Sequence, residues 1–268
     1  MNTSFGFIGC GNMGGALLEA VAKTVPASQI KIYDRDCAKV DGYCKQLGVL
    51  SADLQELVAA SDYIFLGVKP QIYGALFEEL SPMLLACEKK PVLISMAAGI
   101  SISAVEGMSG VACGVIRIMP NTPVSVGEGM ILYTSNVLVD DSQVKVFCNA
   151  LSQAGKLDWI EEARIDAASA LSGCGPAFVY LFAEALADGA VECGLARDKA
   201  RLYAAQTLKG AAELLLQSGK HPGELKDAVC SPGGTTIAGV HALEEGGFRA
   251  SAMSAVNAAY QRTLELKK

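Results

Sequence analysis

The stretch GFIGCGNMGGA, residues 6–16, decides the fold of this 268-residue chain. It contains Gly9-x-Gly11-x-x-Gly14 directly after a strand-like run and directly before a helix-like run. Gly9 permits a tight turn, Gly11 lets a pyrophosphate approach the backbone, and Gly14 lets the helix pack on the strand. The N–H groups and the dipole of such a helix start favour an anion. We therefore predict a dinucleotide-binding strand–turn–helix; the alternative is a glycine-rich turn without a ligand.

Further short β-rich runs follow this stretch and alternate with helical patterns. The runs are FGFIG (5–9), IKIYD (30–34), YIFLGV (63–68), PVLISMA (91–97) and GVIRIM (114–119). Strands that alternate with helices at this spacing indicate βαβ units and a parallel sheet. GMILYTS (129–135) and KLDWIE (156–161) add two strands that flank a helix starting near Asp140. The sequence thus predicts an α/β domain with a Rossmann-like doubly wound sheet over residues 1–162.

The composition and the pattern of the sequence change after about residue 162. The chain becomes Ala-rich and helical, it is apolar on nearly every face, and no strand-like run survives. A helix that is apolar all round must be enclosed, and a domain of this size cannot easily enclose one alone. We predict an all-α dimerisation domain over residues 163–268, with intertwined helices in a homodimer.

The composition excludes several classes of function. A net charge of −6 without a basic run argues against nucleic acid and anionic membranes as partners. The nine cysteines include no C-x-x-C pair, which suits reduced thiols in the cytoplasm better than disulfides or a zinc site. No signal peptide is recognisable, and no apolar run is expected to approach the roughly 18 residues of a membrane span. We therefore expect a cytoplasmic protein without a metal.

The end of the second strand leaves the type of dinucleotide open. Asp34 lies where a carboxylate would hydrogen-bond the ribose hydroxyls of NAD. Arg35 follows and would pair with the 2′-phosphate of NADP, whereas Asp36 would repel that phosphate. These residues equally suit a solvated loop.

The other strand ends predict further contacts, because ligands of doubly wound sheets lie outside the carboxyl ends of the strands. In GVKP (67–70), Pro70 suits a first helical turn and Lys69 would face the cofactor, or would be a surface lysine. The nicotinamide segment, MAAGIS (96–101), has small side chains that leave room for a nicotinamide ring. In MPNTP (119–123), the two prolines would fix the backbone so that the Asn121 amide and the Thr122 hydroxyl point to one place. The alternative is a rigid turn with a purely structural role.

With GFIGCGNMG, VKP, AAG, MPNTP and HPGELKDAVCSPGGTTI in this order, the chain resembles the pyrroline-5-carboxylate reductases. The resemblance covers the whole length, and the last motif is its most specific part. It implies a Rossmann domain followed by a helical dimerisation domain, with assembly of dimers into decamers. It also implies reduction of the imine of Δ1-pyrroline-5-carboxylate to L-proline, the last step of proline biosynthesis, with NADPH or NADH.

The resemblance also implies the residues of the site. The cofactor-binding residues would be Ile8, Gly9, Cys10, Gly11, Asn12, Met13, Gly14, Val68, Lys69, Pro70, Ala97, Ala98, Gly99 and Asn121, besides Asp34 and Arg35. The substrate-binding residues would be Ser231, Gly233, Gly234, Thr235 and Thr236. Two departures stand out. Cys174 replaces the serine of a GSGPA motif, and the DRD at 34–36 differs from the Ser- or Asn-containing loops of members that prefer NADPH.

The SPGGTT turn (residues 231–236) fits a small cyclic imine that carries a carboxylate. We expect Ser231 to cap a helix and the two glycines to expose amides that bind the carboxylate, with Lys226 as the nearby cation. A plain helix–helix turn is the alternative. The reaction needs no metal. We expect His221 to cap a helix and His241 to lie within one, so neither histidine is the expected general acid. We assign Thr236 the catalytic role of hydrogen-bonding the ring nitrogen and relaying a proton.

Hydride transfer requires donor and acceptor within roughly 3–3.5 Å, so the SPGGTT turn must face the strand ends in its own chain or in a partner subunit. Two rival functions remain at this stage. One is a β-hydroxyacid-type dehydrogenase, which would need a helix-borne lysine where LSGCGPAF opens the second domain. The other is a non-catalytic nucleotide-sensing subunit.

Overall fold

The structure, a computed structural model, describes residues 3–266. It divides into two compact units, one comprising the chain up to Cys174 together with the chain from Tyr260, the other Gly175–Ala259. The units separate beyond residue 162 because the helix Glu162–Ser172 packs on the sheet, where Ile165 contacts Met119 and Leu132. The domain boundary at residue 162 stays a prediction.

The first unit contains an eight-stranded sheet. Its strands are β1 (Phe5–Ile8), β2 (Ile30–Tyr33), β3 (Leu50–Ser51), β4 (Tyr63–Leu66), β5 (Val92–Ser95), β6 (Val115–Met119), β7 (Gly129–Ser135) and β8 (Gly155–Trp159). Their order is β3-β2-β1-β4-β5-β6-β7-β8, with all neighbours parallel except the antiparallel pair β6–β7. This confirms the predicted Rossmann-like doubly wound sheet. The chain reverses its winding at β1 and β4, where a ligand-binding crevice is expected.

Helices cover both faces of this sheet. They are α1 (Asn12–Val21), α2 (Cys37–Leu47), α3 (Leu54–Ala60), α4 (Tyr73–Ala86), α5 (Ile102–Ser109), α6 (Asp141–Ala150) and α7 (Glu162–Ser172). Asp140 caps α6, as the sequence predicts, by accepting the Gln143 N–H at 2.9 Å. The residues of β4 and β5 are all buried, so both strands are central and read as continuous apolar runs. Two apolar cores, one on each face, thereby hold the strand ends in place.

The second unit is helical, and no strand occurs among its described residues. Its helices are α8 (Gly175–Glu192), α9 (Arg197–Ser218), α10 (Pro222–Ala228), α11 (Thr235–Glu245) and α12 (Phe248–Leu266), of which the last continues beyond the unit. Many large apolar side chains on these helices are exposed in the single chain, among them Tyr180, Leu181 and Leu202. Such a surface needs a partner to cover it.

One expectation about membranes is wrong. The helical stretch Glu162–Glu192 is long and apolar enough, by length and composition, to meet the criterion for a membrane span, with 11% of its most apolar window buried. The stretch combines α7 and α8, which are separated only by a short turn at Gly173 and Cys174. Exposed apolar helices that meet in a dimer pass the same test, so this finding by itself does not favour a bilayer.

Candidate active site

The glycine turn between β1 and α1 has the geometry of an anion site. Gly9 has a φ of +91°, and a Cβ on Gly14 would lie 2.2 Å from the Gly9 carbonyl oxygen, so strand and helix are in direct backbone contact. A Cβ on Gly11 would meet nothing within 4 Å. No side chain caps α1, and its first turn carries no acidic residue. The open helix start therefore has room and free N–H groups for an anion, and the pyrophosphate contact stays a prediction.

Cys10 lies buried in this turn and is linked to the end of β2. Its backbone N–H donates to Asp34 Oδ2 at 2.7 Å, and Asp34 Oδ1 accepts the Asp36 N–H at 2.9 Å. Burial, reinforced by the Asp34 carboxylate, raises the pKa of the Cys10 thiol to about 12. The thiol therefore stays neutral and adds no negative charge beside a pyrophosphate.

A cleft of about 160 Å³ opens beside the turn, where a Rossmann-like sheet receives an adenosine. It is lined by the ends of β1, β2 and β4 and by α4, including Asp34, Arg35, Val68 and Glu79. Arg35 Nη2 lies 3.5 Å from Glu79 Oε1, and both side chains are more than half exposed. A 2′-phosphate at this place would compete with Glu79 for the guanidinium.

The buried Tyr73 hydroxyl contacts the last residues of both β4 and β5. It donates to the Leu66 carbonyl at 3.1 Å and lies 3.1 Å from Ser95 Oγ. Burial raises the pKa of Tyr73 to about 12, so the phenol remains a neutral donor. Pro70 opens a short 3₁₀ turn before α4, as expected for this residue, and Lys69 before it is exposed. Ala97, Ala98 and Gly99 follow β5 in a turn at the same edge of the sheet.

Asn121, at the end of β6, contacts other parts of the protein. Its Nδ2 donates to the Ser172 carbonyl at 2.9 Å, and its Oδ1 accepts the Met130 N–H at 2.9 Å. The side chain thus joins the end of α7 to the start of β7. A contact between this side chain and a nicotinamide stays a prediction.

The SPGGTT turn differs from its expected geometry in two ways. The N-cap of α11 is Gly234 and not Ser231, and no side chain caps this helix. The Gly234 N–H, expected to be exposed, donates to the Ser231 carbonyl at 3.0 Å and closes a turn. Gly233 has a φ of +68°, which favours glycine for the turn itself. A Cβ on Gly234 would lie 2.4 Å from Ser231 Oγ, so a larger residue there would have to displace the serine hydroxyl. The glycines shape the turn, and the uncapped first-turn amides of Thr235 and Thr236 supply the donors.

The remaining polar groups near this turn have the roles expected of them, with one exception. His221 caps α10 by accepting the Gly223 N–H at 3.1 Å, and His241 lies within α11. Lys226, by contrast, is paired with Asp227 at 2.5 Å, and this hydrogen bond raises the pKa of Lys226. An anion at the start of α11 would therefore find free backbone amides there, whereas the nearby lysine is already paired.

Sequence reasoning missed one buried charged residue. Arg117 lies in the middle of β6 with 1% of its surface exposed, and it pairs with Glu162 at 3.2 Å and Asp166 at 2.9 Å. The signal was present: an arginine within the apolar run GVIRIM must be buried, and a buried charge requires partners.

A Rossmann-like sheet with an open glycine turn and a cleft beside it has the features of the dinucleotide-binding domains of oxidoreductases. Two family models match the chain: pyrroline-5-carboxylate reductase dimerisation at residues 162–266, and NADP oxidoreductase coenzyme F420-dependent at residues 4–99. Pyrroline-5-carboxylate reductase 3 of Danio rerio is 44% identical over 97% of this chain and 90% of its own length. The Escherichia coli (strain K12) pyrroline-5-carboxylate reductase is 39% identical over the full length of both. The chain belongs to the pyrroline-5-carboxylate reductase family.

A solved structure supports the same assignment. Plasmodium falciparum pyrroline carboxylate reductase with NADP bound is 34% identical, covers 100% of this chain and 99% of its own, and superposes with a TM-score of 0.87. Family membership at this identity removes the hydroxyacid dehydrogenase and the nucleotide-sensing subunit as readings of the whole chain.

The three glycine environments predict separable effects. Gly14→Ala should destabilise the fold by about 1–3 kcal/mol, because its Cβ would overlap a backbone oxygen. Gly11→Ala should fold normally but bind NADPH at least about 10-fold more weakly, since its methyl group enters the space left for the pyrophosphate. Gly42→Ala, in the open interior of α2, is the control. Thermal unfolding and NADPH titration check all three; equal NADPH binding by Gly11→Ala and Gly42→Ala would contradict the pyrophosphate assignment.

Proposed function

We propose that the chain reduces the C=N bond of Δ1-pyrroline-5-carboxylate to give L-proline, the last step of proline biosynthesis, with NADPH as the preferred reductant. One observation carries this proposal: this member of the family has both an open glycine turn before α1 and an uncapped start of α11 after Gly233 and Gly234. When bound, NADPH supplies the hydride that the C=N carbon accepts. Ile8 to Gly14, Val68 to Pro70, Ala97 to Gly99 and Asn121 are the proposed cofactor contacts.

The substrate carboxylate is proposed to bind at the start of α11. Thr235 and Thr236 offer first-turn amides there, and a helix start favours an anion without needing a cationic side chain. Ser231 and the glycine pair hold the turn that presents these amides. A carboxylate held in this way fixes one end of a small ring, so the orientation of the C=N bond depends on a second contact.

That second contact is assigned to the Thr236 hydroxyl, which lies one residue into α11 and is exposed in the single chain. We assign it a hydrogen bond to the ring nitrogen, which gains a proton as its carbon gains a hydride. A threonine hydroxyl is both donor and acceptor, so it can pass a proton from solvent to the nitrogen without becoming charged. Catalysis then depends mainly on orientation and less on a strong acid.

The helical unit is proposed to form a homodimer, and dimers are proposed to assemble into a decamer in the cytoplasm. The match of residues 162–266 to a dimerisation family and the exposed apolar side chains of α8 and α9 support the dimer. All nine cysteines are free, which suits a reducing compartment. Light scattering that finds single chains at micromolar concentration would contradict the dimer, and a mass of two chains at every concentration would contradict the decamer.

The direct test is an assay of the purified protein with pyrroline-5-carboxylate and either NADPH or NADH, followed by nicotinamide absorbance. We expect oxidation of the dinucleotide that depends on the imine, with proline as the product. A preparation that binds NADPH yet turns over no imine would overturn the proposal.

The choice of dinucleotide predicts opposite effects for two neighbours in the cleft. Arg35→Ala should lower kcat/KM with NADPH about 10-fold and leave NADH unaffected, because only the 2′-phosphate needs the guanidinium. Glu79→Gln should raise kcat/KM with NADPH, since it releases Arg35 from its ion pair. The ratio of kcat/KM values for the two dinucleotides is the measurement. Equal loss with both dinucleotides in Arg35→Ala would refute the phosphate contact.

A further inference from the structure

The buried side chain of Arg117 is bound on one side only. Its two Nη atoms contact Glu162 Oε1 and Asp166 Oδ1, whereas its Nε has no hydrogen-bond partner among residues 3–266. Well-packed apolar residues often stabilise such a position as well as a buried ion cluster does. Stability alone therefore does not explain this cluster, whose hydrogen bonds hold Glu162 and Asp166 in defined positions.

Glu162 connects this cluster to the nicotinamide segment (residues 96–101). The same Oε1 atom that accepts from Arg117 also accepts the backbone N–H of Ile102 at 2.8 Å. Ile102 is the first residue of α5 and directly follows the segment. Arg117 and the end of the segment are thus linked through a single carboxylate oxygen.

The other end of the nicotinamide segment is fixed from the same side of the sheet. Ser95, the last residue of β5, pairs in register with Arg117, and its hydroxyl contacts the buried Tyr73 hydroxyl. Tyr73 also donates to the Leu66 carbonyl at the end of β4. Buried polar contacts thereby hold both ends of the segment that borders the proposed nicotinamide site.

Helix α7 is contacted at both ends by residues in β6 or just after it. Arg117 binds Glu162 and Asp166 in its first turns, and Asn121 binds the Ser172 carbonyl at its end. Residue 162 is also where the match to the dimerisation family begins. Strand β6 and the residues just after it therefore contact α7 at both ends and, through Glu162, the end of the nicotinamide segment.

We propose that Arg117 is a positioning residue for hydride transfer. It acts through Glu162 on the nicotinamide segment and through α7, and it touches neither substrate nor cofactor. Hydride transfer is sensitive to misplacement of donor and acceptor by less than an ångström, whereas the pyrophosphate and adenosine contacts that dominate dinucleotide binding lie at β1, β2 and β4. Loss of Arg117 should therefore reduce turnover far more than NADPH binding. This inference rests on the proposed imine reduction.

The first test compares Arg117→Met with Arg164→Met, which removes an exposed arginine from the same helix α7 and its ion pair with Glu161. The readout is kcat per bound NADPH, because partial unfolding lowers the number of binding sites but not the turnover of each. Arg117→Met should lose at least about 10-fold in kcat while its NADPH Kd stays within about threefold. Arg164→Met should match the wild type. Unchanged kcat per site in Arg117→Met would overturn the inference.

A second set decides the matter if Arg117→Met fails to fold. Glu162→Ala should lower kcat per bound NADPH. Glu162→Gln should retain most of the turnover, because its amide oxygen can still accept the Ile102 N–H. Glu161→Ala, the control, should have no effect. Equal losses in the Ala and Gln variants of Glu162 would contradict positioning through Oε1, as would no loss in either. A wild-type protein without imine turnover would instead fail the proposed function.

Discussion

Leu181→Glu should yield a protein that binds NADPH but has lost nearly all of its imine reductase activity. Leu181 lies on α8 with 68% of its surface exposed in the single chain, among the apolar side chains that the proposed dimer covers. A carboxylate buried there without a partner opposes association by several kcal/mol. The glycine turn and the cleft belong to the other compact unit, so NADPH binding should survive. We expect the turn that binds the substrate to reach the nicotinamide only in the dimer, so kcat/KM should fall by about 10³-fold.

The matched control for this variant is Leu85→Glu. Leu85 lies on α4 in the sheet unit and is also 68% exposed, so it adds the same charge to an equally apolar site outside the dimerisation domain. Light scattering gives the mass and NADPH titration gives the binding. Leu85→Glu should remain dimeric and active. A monomeric Leu181→Glu that retains full activity would contradict the requirement for the dimer.

Thr236→Val should lower kcat about 100-fold and change KM little, because it removes one hydrogen bond that is strongest in the transition state. Valine has nearly the shape of threonine, so α11 and its first-turn amides should keep their places. Thr236→Ser retains the hydroxyl and should recover most of the activity. Steady-state kinetics of the two variants form the test: an unchanged kcat in Thr236→Val would remove Thr236 from the mechanism.

Most of the sheet could be predicted because its strands are buried and apolar. The runs around Phe7, Phe65 and Ile94 have no other stable environment than the centre of a parallel sheet, and glycine turns mark where they end. The missed strand, β3, has two exposed residues, Leu50 and Ser51, and its position follows only from pairing with β2. A two-residue strand that is exposed and held only by pairing has no apolar or alternating sequence pattern from which it could be predicted.

The candidate site could be predicted as a set of residues but not as a set of hydrogen bonds. The sequence identifies the SPGGTT turn, but whether Ser231 caps α11 depends on a backbone path that folds the Gly234 N–H onto the Ser231 carbonyl. The contact of Asn121 with the cofactor stays a prediction, and its hydrogen bonds to Ser172 and Met130 could not be predicted because these partners are set by the fold. The burial of Arg117 could be predicted from its apolar neighbours, but its partners could not, because they lie more than 40 residues further along the chain.

The most direct measurement is a crystal structure of the protein with NADP⁺ and L-proline bound. The account predicts the proline carboxylate at about 2.7–3.2 Å from the amide nitrogens of Thr235 and Thr236, with the ring nitrogen in reach of the Thr236 hydroxyl. A carboxylate bound elsewhere, with the start of α11 empty, would contradict the central claim that a glycine-shaped turn presents bare amides to the substrate.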